Sequence, residues 1–175
     1  EEYETEIKKV RDEIEKANRE LRLFTSVNRL TQLNYEIEKV GNSLDILDNK
    51  IDSASGVEKI NLLTKSIGIL NNELGLQGQK MNVIKEQMRA YQVDLKKYGF
   101  KFNDNDEITN FESGMNNFRD SGDLEKIVEL TEEYFDLQSE LGKLTVDYDD
   151  LQKEISDVKG EIKENSRSCS LSDEE

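Results

Sequence analysis

The residues with the densest set of metal-binding oxygens lie at positions 103–107, where three carboxylates and two amides follow one another as NDNDE. Such a run suggests a calcium loop, and an EF-hand loop needs ligands at positions one, three and five, a glycine at six and a glutamate at twelve. A loop that starts at Asn103 places Ile108 at the glycine position, and one that starts at Asp104 places Ile108 at a ligand position. Both registers fail, so we predict no metal site here.

Nucleophilic and acid–base chemistry also have few candidates. The chain has no histidine, and its single cysteine, Cys169, lies in a polar stretch near the C-terminus. A lone cysteine forms no internal disulfide, which favours a reducing compartment. Paired carboxylates would need a shaped, water-poor pocket to separate their pKa values, and helical seams are not expected to offer one. We therefore expect no catalytic residue, no cofactor-binding residue and no enzymatic activity.

The composition indicates long helices rather than a layered domain. Of the 175 residues, 36% are charged and 34% are hydrophobic, and proline is absent; such a chain favours helices with narrow apolar seams. The net charge of −15 argues against nucleic acid or anionic lipid as a partner, because phosphate binding needs clustered Lys and Arg. No stretch reaches the ~18 consecutive apolar residues of a membrane span. We expect a soluble, untargeted chain without stable membrane insertion.

Apolar residues recur in alternating steps of three and four along three segments, which is the heptad pattern of coiled coils. The first segment carries Ile7, Val10, Ile14, Ala17, Leu21, Phe24, Val27, Leu30, Leu33, Ile37, Val40, Leu44, Leu47 and Ile51. The second runs from Ile60 to Tyr98 and the last from Ile127 to Ile162. Three successive steps of three around Val27 shift the phase, so we expect the first helix to be overwound there. We predict that the tyrosines of the last seam point their hydroxyls to solvent, namely Tyr134 and Tyr148.

The first two seams mirror each other around a turn near Ser55. Ser55 and Glu58 have the S-x-x-E spacing of a helix start. If the chain folds back there, seam residues equidistant from the turn meet, as in Leu47 with Leu63, Leu44 with Ile67, Leu21 with Tyr91 and Phe24 with Met88. This mirror predicts an antiparallel helical hairpin, whereas two independent parallel coils would not require it. One layer is weak, because Gln77 lies between Gly75 and Gly78; it is either a tolerated soft spot or a hinge or close helix crossing.

Residues 98–112 interrupt the heptads. Gly99 can take the left-handed conformation that ends a helix, and Phe100 supplies the apolar contact that follows such a cap. The stretch FKFNDNDEIT alternates around the turn-forming residues NDND, which is typical of a hairpin. We predict a corner that contains a short β-hairpin and is closed by an apolar plug of Phe100, Phe102, Ile108 and Phe111.

Together these patterns predict an all-α protein, an elongated antiparallel helical hairpin or three-helix coiled coil with a short β-hairpin-like corner. Long helices are expected at residues 2–51, 56–98 and 123–164, and residues 110–119 are compatible with a short helix. The expected domains are the hairpin (1–98), the corner (99–122), the third long helix (123–165) and a flexible polar tail (166–175). The third seam has to pack on the first helix or on a second copy of itself.

The stretch LKKYGFKFNDNDEITNFE, residues 95–112, follows the predicted hairpin EIEKVGNSLDILDNKIDSASGVEKINLLTKSIGILNNEL. This combination resembles the repetitive helical region of tail tape measure proteins from phages and prophages of Gram-positive bacteria. In that family a long helix, a turn and a second helix precede a Y/L-G-F-x-F element, an acidic turn, I-T-N and another helix. The likeness covers residues 34–141, and the corner is its most specific part. It departs at Asp106, where the family often has glycine, so the turn type is open.

The resemblance implies a structural virion component, a fragment of a tape measure protein that helps set tail length and scaffolds assembly of the tail tube. It implies a location in the phage tail after assembly in the host cytoplasm. The implied partners are tube and baseplate subunits and further copies of the chain, a possible homo-oligomer, with no nucleic acid bound. The residues alone leave an alternative, which is a coiled-coil spacer or interaction module of a bacterial cytoplasmic or surface protein.

Overall fold

Four helices account for most of the chain. The structure, a computed structural model, describes residues 1–174, with the side chains of residues 1–170. Helix α1 spans Glu2–Ser53, α2 spans Gly56–Lys97, α3 spans Phe111–Asn116 and α4 spans Leu124–Glu174. Within residues 1–174 there is no β-strand. The predicted all-α class is therefore confirmed.

The helix boundaries agree closely with the prediction except at the C-terminus. The starts of α2 and α4 lie at or next to the predicted residues, and the short helix α3 falls inside the predicted segment 110–119. Helix α4 was expected to end at residue 164 before a flexible tail, yet it continues to Glu174. No glycine or proline follows Gly160, so no backbone signal stops the helix there. Position 175 of the predicted tail lies outside the described residues.

The chain divides into two compact units. Unit 1 contains Glu1–Arg29 and Val83–Gly142, and unit 2 contains Leu30–Asn82 and Lys143–Glu175. Each unit therefore includes one part of α1, one of α2 and one of α4. The corner and α3 belong to unit 1.

The core of unit 2 is built from the predicted seams. Leu47 and Leu63, which the mirrored seams pair, share one cluster with Ile51. A second cluster contains Leu44, Leu70, Leu151 and Ile155. Residues of the last seam join both clusters, since Val158 packs against each of them. In unit 2 the third seam thus packs within the same chain.

The two glycines around Gln77 do not interrupt α2. A Cβ added to Gly75 would meet no atom within 4 Å, and one added to Gly78 would lie 3.6 Å from the Tyr148 ring, which is an ordinary contact. Neither glycine is therefore needed for a close helix crossing. Gln77 is buried, and its Oε1 atom has no hydrogen-bond partner among the described residues. The layer that contains Gln77 is therefore a weak point, because it buries a polar atom that makes no hydrogen bond. The hinge stays a prediction.

Unit 2 also contains interacting carboxylates with raised pKa values. Burial, followed by the charge of Glu154, raises the pKa of Glu73. Burial, followed by the charges of Asp48 and Asp157, raises the pKa of Glu154. A carboxyl group whose pKa is higher in the folded than in the unfolded state favours folding when it is protonated. Its stabilising contribution is therefore present at low pH and lost as the pH rises through the folded-state pKa.

We expect Glu154→Gln to raise the melting temperature at about pH 7 by about 1 to 2 °C, because it removes one partner of this repulsion. The gain should disappear at about pH 4, where the unfolded glutamate itself is largely protonated. Thermal unfolding followed by circular dichroism at the two pH values measures both effects. Glu154 is itself exposed to solvent, and so is Asp149 on the same helix. Asp149→Asn, which lies outside the group of Glu73, Asp48 and Asp157, is therefore the matched control and should give a smaller gain at pH 7. Equal gains for the two variants would argue against a specific repulsion at Glu154.

Candidate functional site at the corner

The predicted corner (99–122) contains α3, and the part that connects α2 to α3 is residues 98–110; the name corner is used for this part below. Gly99 has a φ of +90°, its N–H donates to the carbonyl of Lys96, and the N–H of Phe100 donates to the carbonyl of Leu95. This is the Schellman arrangement, in which a left-handed residue turns the chain out of a helix. The Phe100 ring is then buried, with 2% of its surface exposed. The predicted helix stop at Gly99 and the apolar contact of Phe100 are confirmed.

The acidic turn is organised by Asn103. Its backbone N–H donates to the carbonyl of Glu107 at 3.0 Å, and its carbonyl accepts from the N–H of Asp106 at 3.1 Å. Its side-chain Oδ1 accepts from the N–H groups of Asn105 and Glu107, as in an Asx turn. The oxygen-rich run NDNDE therefore uses its first amide to hold the backbone. In the part of the chain that the structure describes, no group of three or more His, Cys, Asp or Glu residues is placed to hold a metal ion.

Asp106 is the turn residue at which the likeness to tape measure proteins departs. Its φ is +61°, the only positive φ of a non-glycine residue within residues 1–174, which explains why a glycine would fit the same position. The Asp106 carboxylate accepts from Nε2 of Gln92 at 3.0 Å. Its carbonyl accepts from Nε2 of Gln138 at 3.0 Å and from the Tyr134 hydroxyl. Helices α2 and α4 thus hold the turn from two directions.

We expect Asp106→Ala to lower the free energy of unfolding by about 1 to 2 kcal/mol, because it keeps the left-handed strain and loses the bond from Gln92. Asp106→Gly loses the same bond but relieves the strain, so it should be about 1 kcal/mol more stable than the alanine variant. Urea unfolding of both variants measures the difference. If alanine were as stable as glycine, the left-handed conformation of this residue would be refuted.

The aromatic rings of the corner form the predicted plug only in part. The rings of Phe102 and Tyr134 meet edge to face at 5.3 Å between centroids, and Phe102 forms an isolated antiparallel bridge with Ile108. Phe111 is 38% exposed and pairs with Phe135 instead. The prediction that the Tyr134 hydroxyl points to solvent is wrong, because the residue is fully buried and the hydroxyl is bonded to the turn.

A charged cluster lies beside Tyr98, the first residue of the corner. Nζ of Lys126 donates to Oδ1 of Asp12 at 2.7 Å and to the Tyr98 hydroxyl at 2.5 Å, and that hydroxyl donates to Oε2 of Glu15 at 2.7 Å. Burial by itself lowers the pKa of Lys126, but the hydrogen bonds with Asp12 and Tyr98 outweigh it and raise that pKa. Burial raises the pKa of Tyr98. Both groups keep their protons at neutral pH, so neither serves as a general base.

A buried ion pair joins α1 and α2 within unit 1. Nη1 of Arg19 lies 2.9 Å from Oδ2 of Asp94, and their side chains are 10% and 1% exposed. Arg22 and Lys97 lie further from the same carboxylate, at 3.8 and 3.5 Å. Along the same face of α1, Ser26 accepts a hydrogen bond from Gln87. The face of α1 that packs in unit 1 is therefore polar.

This arrangement corrects the predicted seam of α1 before residue 30. Leu21 and Phe24 are 74% and 65% exposed, so their predicted pairing with Tyr91 and Met88 is wrong. The buried residues of α1 in this part are instead Arg19 and Ser26. The steps of three around Val27 mark the point where apolar residues change face along an uninterrupted helix, and the expected overwinding is not needed to explain them.

Charged residues, and not the apolar seams, line the open space beside α1 in unit 1. A cleft with a volume of about 430 Å³ lies there, and Glu15 on its wall has a buried Oε1 atom without a hydrogen-bond partner among the described residues. The wall carries charges of both signs: Lys8, Lys9, Lys16, Arg19, Lys126, Asp12, Glu13, Glu15 and Glu129. Such a lining does not select a ligand of one charge.

Comparison of the chain with family models, curated proteins and solved structures gives no significant match. Among the described residues, no helix combines the length and the apolar character that a membrane span requires. The sequence assigned no catalytic, cofactor-binding or metal-binding residue.

Proposed function

We propose that this chain is a structural segment of a phage tail tape measure protein, which helps set tail length and scaffolds assembly of the tail tube, and that it has no catalytic role. One observation carries the proposal. The residues of the tape-measure-like motif are the ones that build the corner: Gly99 ends α2, Phe100 and Phe102 pack their rings, and Asn110 bonds to both Gly99 and Lys101. Because the residues of this motif build structure and not a chemical site, the motif fits a protein that acts through its length.

We further infer that α1, α2 and α4 form a three-helix coiled coil in unit 2, with α2 antiparallel to the other two, and that the corner is a short hairpin. The clusters shared by the three seams support the first inference. The bridge between Phe102 and Ile108 and the left-handed Asp106 after the turn support the second, because a type I turn followed by a left-handed residue is a common hairpin connection. In a coiled coil, length follows directly from the number of heptads.

This proposal places the protein in the phage tail after assembly in the host cytoplasm, with tube and baseplate subunits and other copies of the chain as partners. Nucleic acid that shares the tail tube would not be a ligand, because the net charge of −15 repels phosphate. The dissociation constant for duplex DNA at moderate salt should accordingly be weaker than about 1 µM.

A deletion that preserves heptad register tests the proposal. Removing residues 37–50, 61–74 and 148–161 takes two heptads from each helix of unit 2, and all three must be shortened together because their residues share the same clusters. The variant should retain helical circular dichroism and cooperative unfolding. Tails should be shorter by about 21 Å if the helices stay side by side, or by about 63 Å if they are extended end to end, at ~1.5 Å per residue. Electron microscopy of virions separates these outcomes.

The matched control is a duplication of the same three segments, which should lengthen the tails by the same amount. Both variants must be shown to be present in the particles by mass spectrometry. Tails of unchanged length in both cases would contradict a role in setting length.

The alternative is a coiled-coil spacer or interaction module of a bacterial cytoplasmic or surface protein. The apolar residues exposed along the first part of α1 favour it, since such a face suits a helical partner. Neighbouring genes distinguish the two functions. Tube and baseplate genes support the tail protein, and a gene for an ATPase or a surface anchor supports the spacer.

A further inference from the structure

An apolar stripe lies on the exposed face of α1 in unit 1. Its residues recur in alternating steps of three and four, and its six large members are between 52% and 81% exposed: Tyr3, Ile7, Val10, Ile14, Leu21 and Phe24. Ala17, also exposed, completes the series. A contiguous apolar surface of this kind marks an interaction site, whereas scattered apolar residues do not. We propose that this stripe pairs with the same stripe of a second copy of the chain, as a parallel two-stranded coiled coil.

The spacing of the stripe indicates that the partner that covers it is a helix. A repeat of seven residues keeps the stripe facing a partner helix through three heptads. In the usual labels, Ile7, Ile14 and Leu21 take the a positions, and Tyr3, Val10, Ala17 and Phe24 take the d positions. The residues through which α1 packs in unit 1, such as Asp12 and Arg19, lie at the f positions on the opposite face. Pairing through the stripe therefore leaves the contacts of unit 1 in place.

The charged residues beside the stripe indicate that its partner is a second copy of the chain and that the two helices run in the same direction. In a parallel pair, a g residue lies beside the e residue that follows it by five positions in the other helix. Glu6 then faces Arg11 of the second copy, and the two-fold symmetry makes this attraction twice. The remaining g residues face uncharged ones, Glu13 beside Asn18 and Glu20 beside Thr25.

An antiparallel pair would have the opposite electrostatics. There g positions face g positions, so Glu6, Glu13 and Glu20 would oppose one another across the interface. Asn28, an exposed residue at the next a position, adds a second argument, because an asparagine at a single a position fixes register and favours two parallel strands. Both features point to two copies side by side in the same direction.

Sedimentation velocity of the full chain over a series of concentrations tests the pairing. A reversible dimer is expected, and Ile14→Asp should weaken it at least tenfold, because it puts two carboxylates into the interface. Ile14 is 56% exposed, so the monomer should keep its circular dichroism. Ile46→Asp, which changes an isoleucine of the same helix that is 60% exposed but outside the stripe, is the matched control and should dimerise normally. A wild-type monomer at every concentration, or equal effects of the two substitutions, would overturn the proposal.

Charge reversal and cross-linking test the direction. Glu6→Lys should weaken the dimer by placing a lysine beside Arg11 of the second copy, and adding Arg11→Glu should restore it. In a Cys169→Ser background, Tyr3→Cys alone should form a covalent dimer under mild oxidation with oxidised glutathione. Cross-linking only between Tyr3→Cys and Leu21→Cys chains would show an antiparallel pair, in which a positions face d positions, and would refute the parallel one. If the full chain is a monomer at every concentration and the deletion variant still gives shorter tails, the pairing is refuted and the proposed function stands.

Discussion

Replacement of Arg19 by methionine is expected to lower the free energy of unfolding by about 2 to 4 kcal/mol, because it leaves a buried carboxylate without its nearest cation. Asp94 is 1% exposed, and the guanidinium of Arg19 lies 2.9 Å from it. Methionine has a similar volume and a flexible apolar chain, so the loss should be electrostatic rather than one of packing. Chemical denaturation followed by circular dichroism measures it.

Arg22→Met is the matched control for this effect. Arg22 lies 3.8 Å from the same carboxylate, but its side chain is 42% exposed, so the change should cost about 0.5 kcal/mol or less. The double variant Arg19→Met with Asp94→Leu should recover most of the lost stability, because it removes the unpaired charge along with its partner. Similar losses for the two arginine variants would show that solvent screens Asp94 more than its burial implies.

The sequence was sufficient for the helices and for the core of unit 2 because the signals there are local and periodic. Leu44 and Leu47 lie on an apolar face of α1 and Leu63 lies on an apolar face of α2, and these faces are the buried ones. The mirror around Ser55 added the pairing between α1 and α2. Among the helix boundaries, the end of α4 differs most from the prediction, because the polar C-terminal stretch has no helix-breaking residue and continues the helix.

The same rule failed in unit 1, because there the apolar face of α1 is the exposed one. The helix packs instead through residues such as Asp12 and Arg19, whose partners Lys126 and Asp94 lie far away in the sequence. A rule based on periodicity assigns polar residues to solvent, because it contains no information on partners that are distant in the sequence. One signal was present: Arg19 and Asp94 lie nearly equidistant from the turn between α1 and α2, so opposite charges at mirrored positions indicated a polar layer.

The corner shows the same division between local and distant signals. Gly99 and Phe100 were predicted correctly because a helix stop depends on a few neighbouring residues. The contacts of Gln92 and Tyr134 with Asp106 were missed, since they join residues 14 and 28 positions apart. No local pattern distinguishes a seam tyrosine that faces solvent from one that holds a turn.

Replacement of Phe100 by alanine is the second large effect, with an expected loss of about 3 to 4 kcal/mol in the free energy of unfolding. The ring is 2% exposed and packs so closely against α3 that a Cβ added to Gly114 would lie 2.7 Å from its Cε1 atom. Small shifts of the surrounding structure should therefore fill only part of the cavity that the ring leaves. The expected cost lies near the upper range for a core phenylalanine. Phe111→Ala is the control. It removes a ring that belongs to α3 itself and is 38% exposed, so it should cost about 1 kcal/mol.

The close approach between Phe100 and Gly114 gives the prediction a second, independent readout. Gly114→Ala alone should destabilise the protein by about 1 to 3 kcal/mol, because the buried ring must move to admit the new methyl group. In the Phe100→Ala background the same change should cost little or even stabilise, since the methyl group enters the space that the ring has left and alanine favours the helix. The two substitutions should thus be strongly non-additive in a double-mutant cycle measured by urea unfolding. Additive effects would mean that the ring and α3 are not in contact, and the corner would then not be held closed by Phe100.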